Sequence, residues 1–181
     1  MLTADLCRFL RPDFKKLRLV WFLFLAAAAA CYLVVRLSGA DWEVADGRAS
    51  GLAPVFYVSA LVLAASSLLR LRAAFTDERM TGLQSRGDAP GRPPAAGFAR
   101  RDGYADLDGY NRSLLAVFVH ARSSYVVAWI MQVAVAILGL MLALSTRRAS
   151  DDLVFVIVAL ALLVIARPQA ARHLERAARL S

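Results

Sequence analysis

Reactive side chains are scarce in this 181-residue chain, which has two cysteines, Cys7 and Cys31, and two histidines, His120 and His173. Cys7 lies near the N-terminus and Cys31 inside an apolar run, so they form neither a disulfide framework nor a metal-ligand spacing. Neither histidine has a Cys or carboxylate at ligand spacing, which argues against a zinc site, and no cofactor is expected. A Gly-rich phosphate loop and a nucleophile elbow are also missing. Lysine is rare: of 22 basic residues only Lys15 and Lys16 are lysine. With Ala, Leu and Arg plentiful, that usage points to a GC-rich bacterial gene.

What the chain does have is apolar sequence. Hydrophobic residues make up 59% of it, in clustered runs that move it out of the soluble class. Charges bound the runs, because an Arg at a helix centre costs roughly 2.5 to 3.5 kcal/mol to insert into a bilayer. Four uncharged spans follow, at 19–35, 52–69, 123–146 and 153–166. At about 1.5 Å per residue the first covers roughly 26 Å and the third roughly 36 Å, against a hydrocarbon core of about 30 Å. The fourth covers about 21 Å and needs Ala149, Ser150 and a snorkelling Arg167 to cross.

A cleaved signal peptide is the rival reading of the start, since Lys15, Lys16 and Arg18 precede an apolar stretch and Ala28 to Cys31 loosely resemble a lipoprotein cleavage site. The run continues through Tyr32, Leu33, Val34 and Val35, however, and Ala28 stands where a lipobox usually has Leu. A retained span is therefore expected.

Charge placement orients the spans. The segments 1–18, 70–122 and 167–181 carry 18 basic and nine acidic residues, while the loops 36–51 and 147–152 carry four and five. By the positive-inside rule both termini and the long loop are cytoplasmic. Trp21, Trp42, Tyr57, Tyr125 and Trp129 fall near span ends, as an aromatic belt requires.

Outside the spans, Leu6, Phe9, Leu10 and Phe14 recur at helical spacing, which predicts an interfacial amphipathic segment over 1–18, interrupted by Pro12. The basic tail 167–181 reads as a second amphipathic helix with an apolar stripe of Ala171, Leu174 and Ala178. Within the cytoplasmic loop, Gly and Pro predict a flexible linker over 82–97. The second span is expected to continue to about Met80. Asp108 or Asn111 can cap one long helix from about Arg112 to Thr146.

The densest polar cluster is Arg100, Arg101, Asp102, Asp106, Asp108, Asn111 and Arg112. Carboxylates at this spacing can hold a hydrated divalent cation, but the remaining EF-hand ligands are missing, as is the paired-Asp pattern of membrane CDP-alcohol phosphotransferases. A solvated turn before a helix is the preferred reading. Asn111, Arg112 and Ser113 match a glycosylation sequon, which a cytoplasmic position in a bacterial protein makes accidental.

No Asp, Glu, Lys or Arg lies within the four spans, which argues against proton-coupled transport and intramembrane catalysis. The spans carry instead helix-packing stripes of small residues: Ala60, Ala64 and Ser67 in the second, and Ala128, Gln132, Ala136, Gly139 and Ala143 in the third. Gln132 is the one strongly polar side chain deep in a span.

These features predict an all-α fold, a four-helix transmembrane bundle of two same-orientation hairpins, in a bacterial inner membrane. The expected role is that of a non-enzymatic anchor, sensor or effector subunit of a multi-gene system, phage defence among them. Expected partners are the lipid bilayer, further copies of the chain and a cytoplasmic protein, with no nucleic acid. Arg100, Arg101, Asp102, Asp106, Asp108, Arg172, Arg176 and Arg179 are the candidate partner or lipid contacts. A small channel or transporter lined by Gln132, Ser59, Ser66 and Ser67 is the alternative.

Overall fold

The computed structural model describes residues 4–38, 51–87, 98, 104, 107–147 and 149–180. Their regular structure is all helical: α1 (Ala4–Ser38), α2 (Ala53–Ala74), α3 (Asp77–Gly87), α4 (Gly109–Thr146), α5 (Ala149–Ile165) and α6 (Ala170–Leu180). Among the described residues α1, α2 and α4 are long and apolar enough to cross a membrane. With 17 residues, α5 covers about 26 Å, and it makes a fourth candidate when taken with α6 as one broken span.

Pro12 does not interrupt the first helix, contrary to expectation: α1 runs through it for 35 residues. A proline in a helix interior costs about 3 kcal/mol. Pro12 sits on the exposed side, where water can satisfy the carbonyl that its missing N–H leaves free. On the other side, Leu6, Leu10 and Leu17 are buried at intervals of three and four or their multiples, and each contributes about 1.5–3 kcal/mol. The same inward stripe continues through Ala28, Cys31 and Val35.

The second span ends earlier than expected. Helix α2 stops at Ala74, and α3 starts at Asp77, with Asp77 and Glu78 in its first turn where carboxylates suit the helix dipole. The Thr76 carbonyl accepts the first α3 bond from Met80 N–H at 3.1 Å, while its hydroxyl reaches back to the Ala73 carbonyl. Since α3 continues to Gly87, residues 82–87 of the expected linker are helical, and 88–97 lie outside the described residues. The loop expected at 147–152 is also shorter. Arg147, at φ 53°, turns the chain in the left-handed region, and α5 begins at Ala149, taking Asp151 and Asp152 into its first turn.

The chain divides into two compact units: unit 1, of Met1–Arg18, Leu71–Tyr125 and Pro168–Ser181, and unit 2, of Leu19–Arg70 and Val126–Arg167. Unit 1 is built around the first half of α4, where Leu114, Leu115, Val117, Phe118 and Ala121 are buried. Phe14 meets Phe118 edge-on at 5.4 Å, and Phe98 sits between Phe9 and Phe118 at 6.0 and 6.3 Å.

In unit 2 each helix touches others through named side chains. Phe24 of α1 lies 5.9 Å from Trp129 of α4, and Tyr57 of α2 lies 4.9 Å from Phe155 of α5. Helices α4 and α5 meet at Gly139, where a Cβ would collide with the Cβ of Phe155. The outer surface of unit 2 is apolar: of the large hydrophobic side chains exposed among the described residues, all but Leu180 belong to it.

Candidate functional site

Two sets of polar groups stand out, one on unit 1 and one inside unit 2. The first is centred on α6, whose buried face is Ala170, Leu174 and Ala177. That stripe is turned by one residue from the expected Ala171, Leu174 and Ala178. The rotated face goes with contacts at the helix end, where the last carbonyls of a helix have no internal partner. Gln84 of α3 donates to the Ala177 carbonyl at 3.0 Å, and the Tyr110 hydroxyl of α4 to the Ala178 carbonyl at 3.2 Å.

His173 fixes the other end of α6. Its ring stacks on Phe75 with centroids 3.7 Å apart and planes at 7°. Its Nε2 lies 2.9 Å from the Tyr125 hydroxyl, which accepts the Gln169 N–H at 3.2 Å. Burial, and then the neighbouring Arg176 charge, hold the His173 pKa below its ordinary value.

Arg172, Arg176 and Arg179 lie exposed on the outer side of α6, at helical spacing. Arg176 pairs with Asp77 at 2.8 Å, but both side chains are about half exposed, so the pair contributes at most about 1 kcal/mol. Of the other residues expected to make contacts, Asp108 caps α4, its Oδ1 accepting the Asn111 N–H at 2.7 Å. Arg100, Arg101, Asp102 and Asp106 lie outside the described residues. The sequon residues Asn111 and Ser113 are buried in α4.

In unit 2 the two small-residue stripes come together. Ala60, Ser67, Ala128, Gln132, Ala136, Gly139 and Ala143 are buried, and Ala64 is half-buried with its carbonyl accepting the Ser67 hydroxyl at 2.8 Å. Gln132 is 0% exposed and its Nε2 lies 3.4 Å from Ser67 Oγ, while its Oε1 accepts no hydrogen bond. Ser59 and Ser66 are half-buried.

Two residues expected in an aromatic belt face inward. Trp129 is 0% and Tyr125 3% exposed, and Trp42 lies outside the described residues. The indoles of Trp21 and Trp129 complete the end of α5. Pro168 has no N–H to offer, and the Arg167 N–H turns to the Val164 carbonyl at 3.2 Å instead of to Leu163. Trp21 Nε1 then donates to the Leu163 carbonyl at 2.9 Å and Trp129 Nε1 to the Ala166 carbonyl at 3.0 Å.

Asp152 is the residue that sequence reasoning missed, having assigned it to an outer loop. It is 0% exposed, and neither carboxylate oxygen has a hydrogen-bond partner. Taking an ionised carboxylate out of water costs several kcal/mol, whereas a place in a first helical turn returns only about 0.3–1 kcal/mol. The dipole does not balance the burial. A signal was available in the spacing: Asp152, Val156, Ala159, Leu163 and Ala166 are buried at alternating intervals of four and three, so the inward stripe of α5, read backwards, ends on Asp152.

These features define the class: an all-helical protein with three to four candidate membrane-spanning helices. No protein-family model matches the sequence, no curated protein is significantly similar to it, and no solved structure matches it.

Proposed function

We propose that the chain is a non-enzymatic, multipass protein of a bacterial inner membrane, acting as an oligomeric anchor, sensor or effector subunit of a larger system. One observation carries this reading: the contrast between the apolar exterior of unit 2 and the exposed arginines of α6 on unit 1. Unit 2 lies in the bilayer as a four-helix bundle of two same-orientation hairpins. Unit 1 lies in the cytoplasm with both termini. A contiguous exposed apolar surface has to meet lipid or protein, and Arg172, Arg176 and Arg179 offer a cationic row to an acidic partner protein or to headgroups. The burial of Gln132 supports a packing role for it rather than a wet path.

The test is native mass in lipid nanodiscs, where the assembly should appear as a multiple of the 19.7 kDa chain or with a defined partner. Charge reversal of Arg172, Arg176 and Arg179 should release the partner and leave the helices intact. A lone monomer that binds nothing overturns the reading. Gln132→Leu with unchanged assembly but altered ion flux in vesicles would favour the channel alternative.

A further inference from the structure

We propose that Asp152 is a binding site for a small monovalent cation, supplied as a proton or an alkali ion. The inference goes beyond the anchoring role and does not depend on which way the chain faces in a membrane. It rests on a carboxylate that is 0% exposed and has no hydrogen-bond donor on either oxygen. A negative charge so placed is shut off from the surface and has no partner among the described residues, and a positive ligand supplies what they do not.

Among the described residues the surroundings offer no internal substitute. From α1 the facing titratable group is the Cys31 thiol, an acid and not a cation, and its S–H is directed to the Ala27 carbonyl at 3.5 Å. From α4 the facing residue is Gly139, where a Cβ would stand 3.0 Å from Asp152 Oδ1, so the carboxylate packs closely on a residue that brings no charge and no side-chain donor. From α2 Tyr57 packs on Phe155, one turn along. On α5 itself the neighbouring Asp151 is already engaged, its Oδ2 accepting the Thr146 hydroxyl at 2.8 Å. Arg147, at the α4–α5 junction, is exposed.

Thermal unfolding of the full chain in nanodiscs tests the proposal in two arms, sodium or potassium chloride at fixed pH and pH at fixed salt. Each tenfold rise in the bound cation's activity above its dissociation constant should raise the wild-type melting temperature by roughly 3–6 °C. A response to the salt identifies an alkali ion, and a response to pH alone a proton. Read in the His173→Gln background, which removes that ring's own response to acid, Asp152→Asn should lose the rise in melting temperature, and Asp151→Asn should keep it. In that background, a melting temperature that rises in neither arm overturns the proposal even if Asp152→Asn does not fold, and so does a rise that Asp152→Asn retains.

Discussion

The single helix α4 serves both units, and its two halves differ on the outside more than on the inside. Toward the core both halves keep the same three-four spacing, from Leu114, Val117, Phe118 and Ala121 to Ala128, Gln132, Val135, Ala136 and Gly139. Away from the core, the unit 1 half exposes Arg112, Arg122 and Ser123, whereas the unit 2 half exposes Ile130, Ile137, Met141 and Leu144. Inward packing therefore does not separate the units. The outer face does, with charged and hydroxyl side chains on one half and large apolar ones on the other.

The comparison can be tested at graded cost. Phe118→Ala removes the ring that both Phe14 and Phe98 meet edge-on in unit 1, and should lower stability by about 3–5 kcal/mol in chemical denaturation. Leu61→Arg places a charge at a position of unit 2 that is 70% exposed. On a water-facing helix such a change stays within about 0.5 kcal/mol, but in a bilayer it should cost roughly 2.5–3.5 kcal/mol in an insertion assay. A neutral result there would remove the contrast between the units. Gly139→Ala forces a methyl against Phe155, and thermal unfolding should register a loss of about 1–3 kcal/mol.

Unit 1 should also respond to acid through His173. Its folded-state pKa lies below the ordinary 6.5, so the neutral ring's contribution is complete above about pH 6.5 and is lost as pH falls from there toward the folded value. Exchange protection of α6 should weaken over that window, and His173→Gln should flatten the profile. Asp77→Asn, at the half-exposed pair with Arg176, should cost under about 1 kcal/mol, and less in high salt.

Much of the helical plan was legible because it depends on long, unbroken patterns. The stretch from Arg112 to Thr146 contains no proline, its one glycine, Gly139, does not break it, and Asp108 supplies a cap, so the expected helix and α4 differ only by the turn at Gly109. What failed to show were features decided by tertiary context. The break at Phe75 and Thr76 coincides with Phe75 stacking on His173, 98 residues away. The rotation of α6 accompanies long-range bonds from Gln84 and Tyr110 to its carbonyls. Asp152 was hidden by a boundary error, because a turn made at Arg147 moves it from loop to core.

The indole caps of α5 imply an order of assembly. Synthesis runs from the N-terminus, so Trp21 and Trp129 are made before Leu163 and Ala166, the residues whose carbonyls they satisfy. The shortest of the four apolar helices is thus the last to be made, and it meets partners that earlier helices already carry. Truncating the chain before α5 would remove both of these carbonyl acceptors, whereas truncating after Arg167 would keep both.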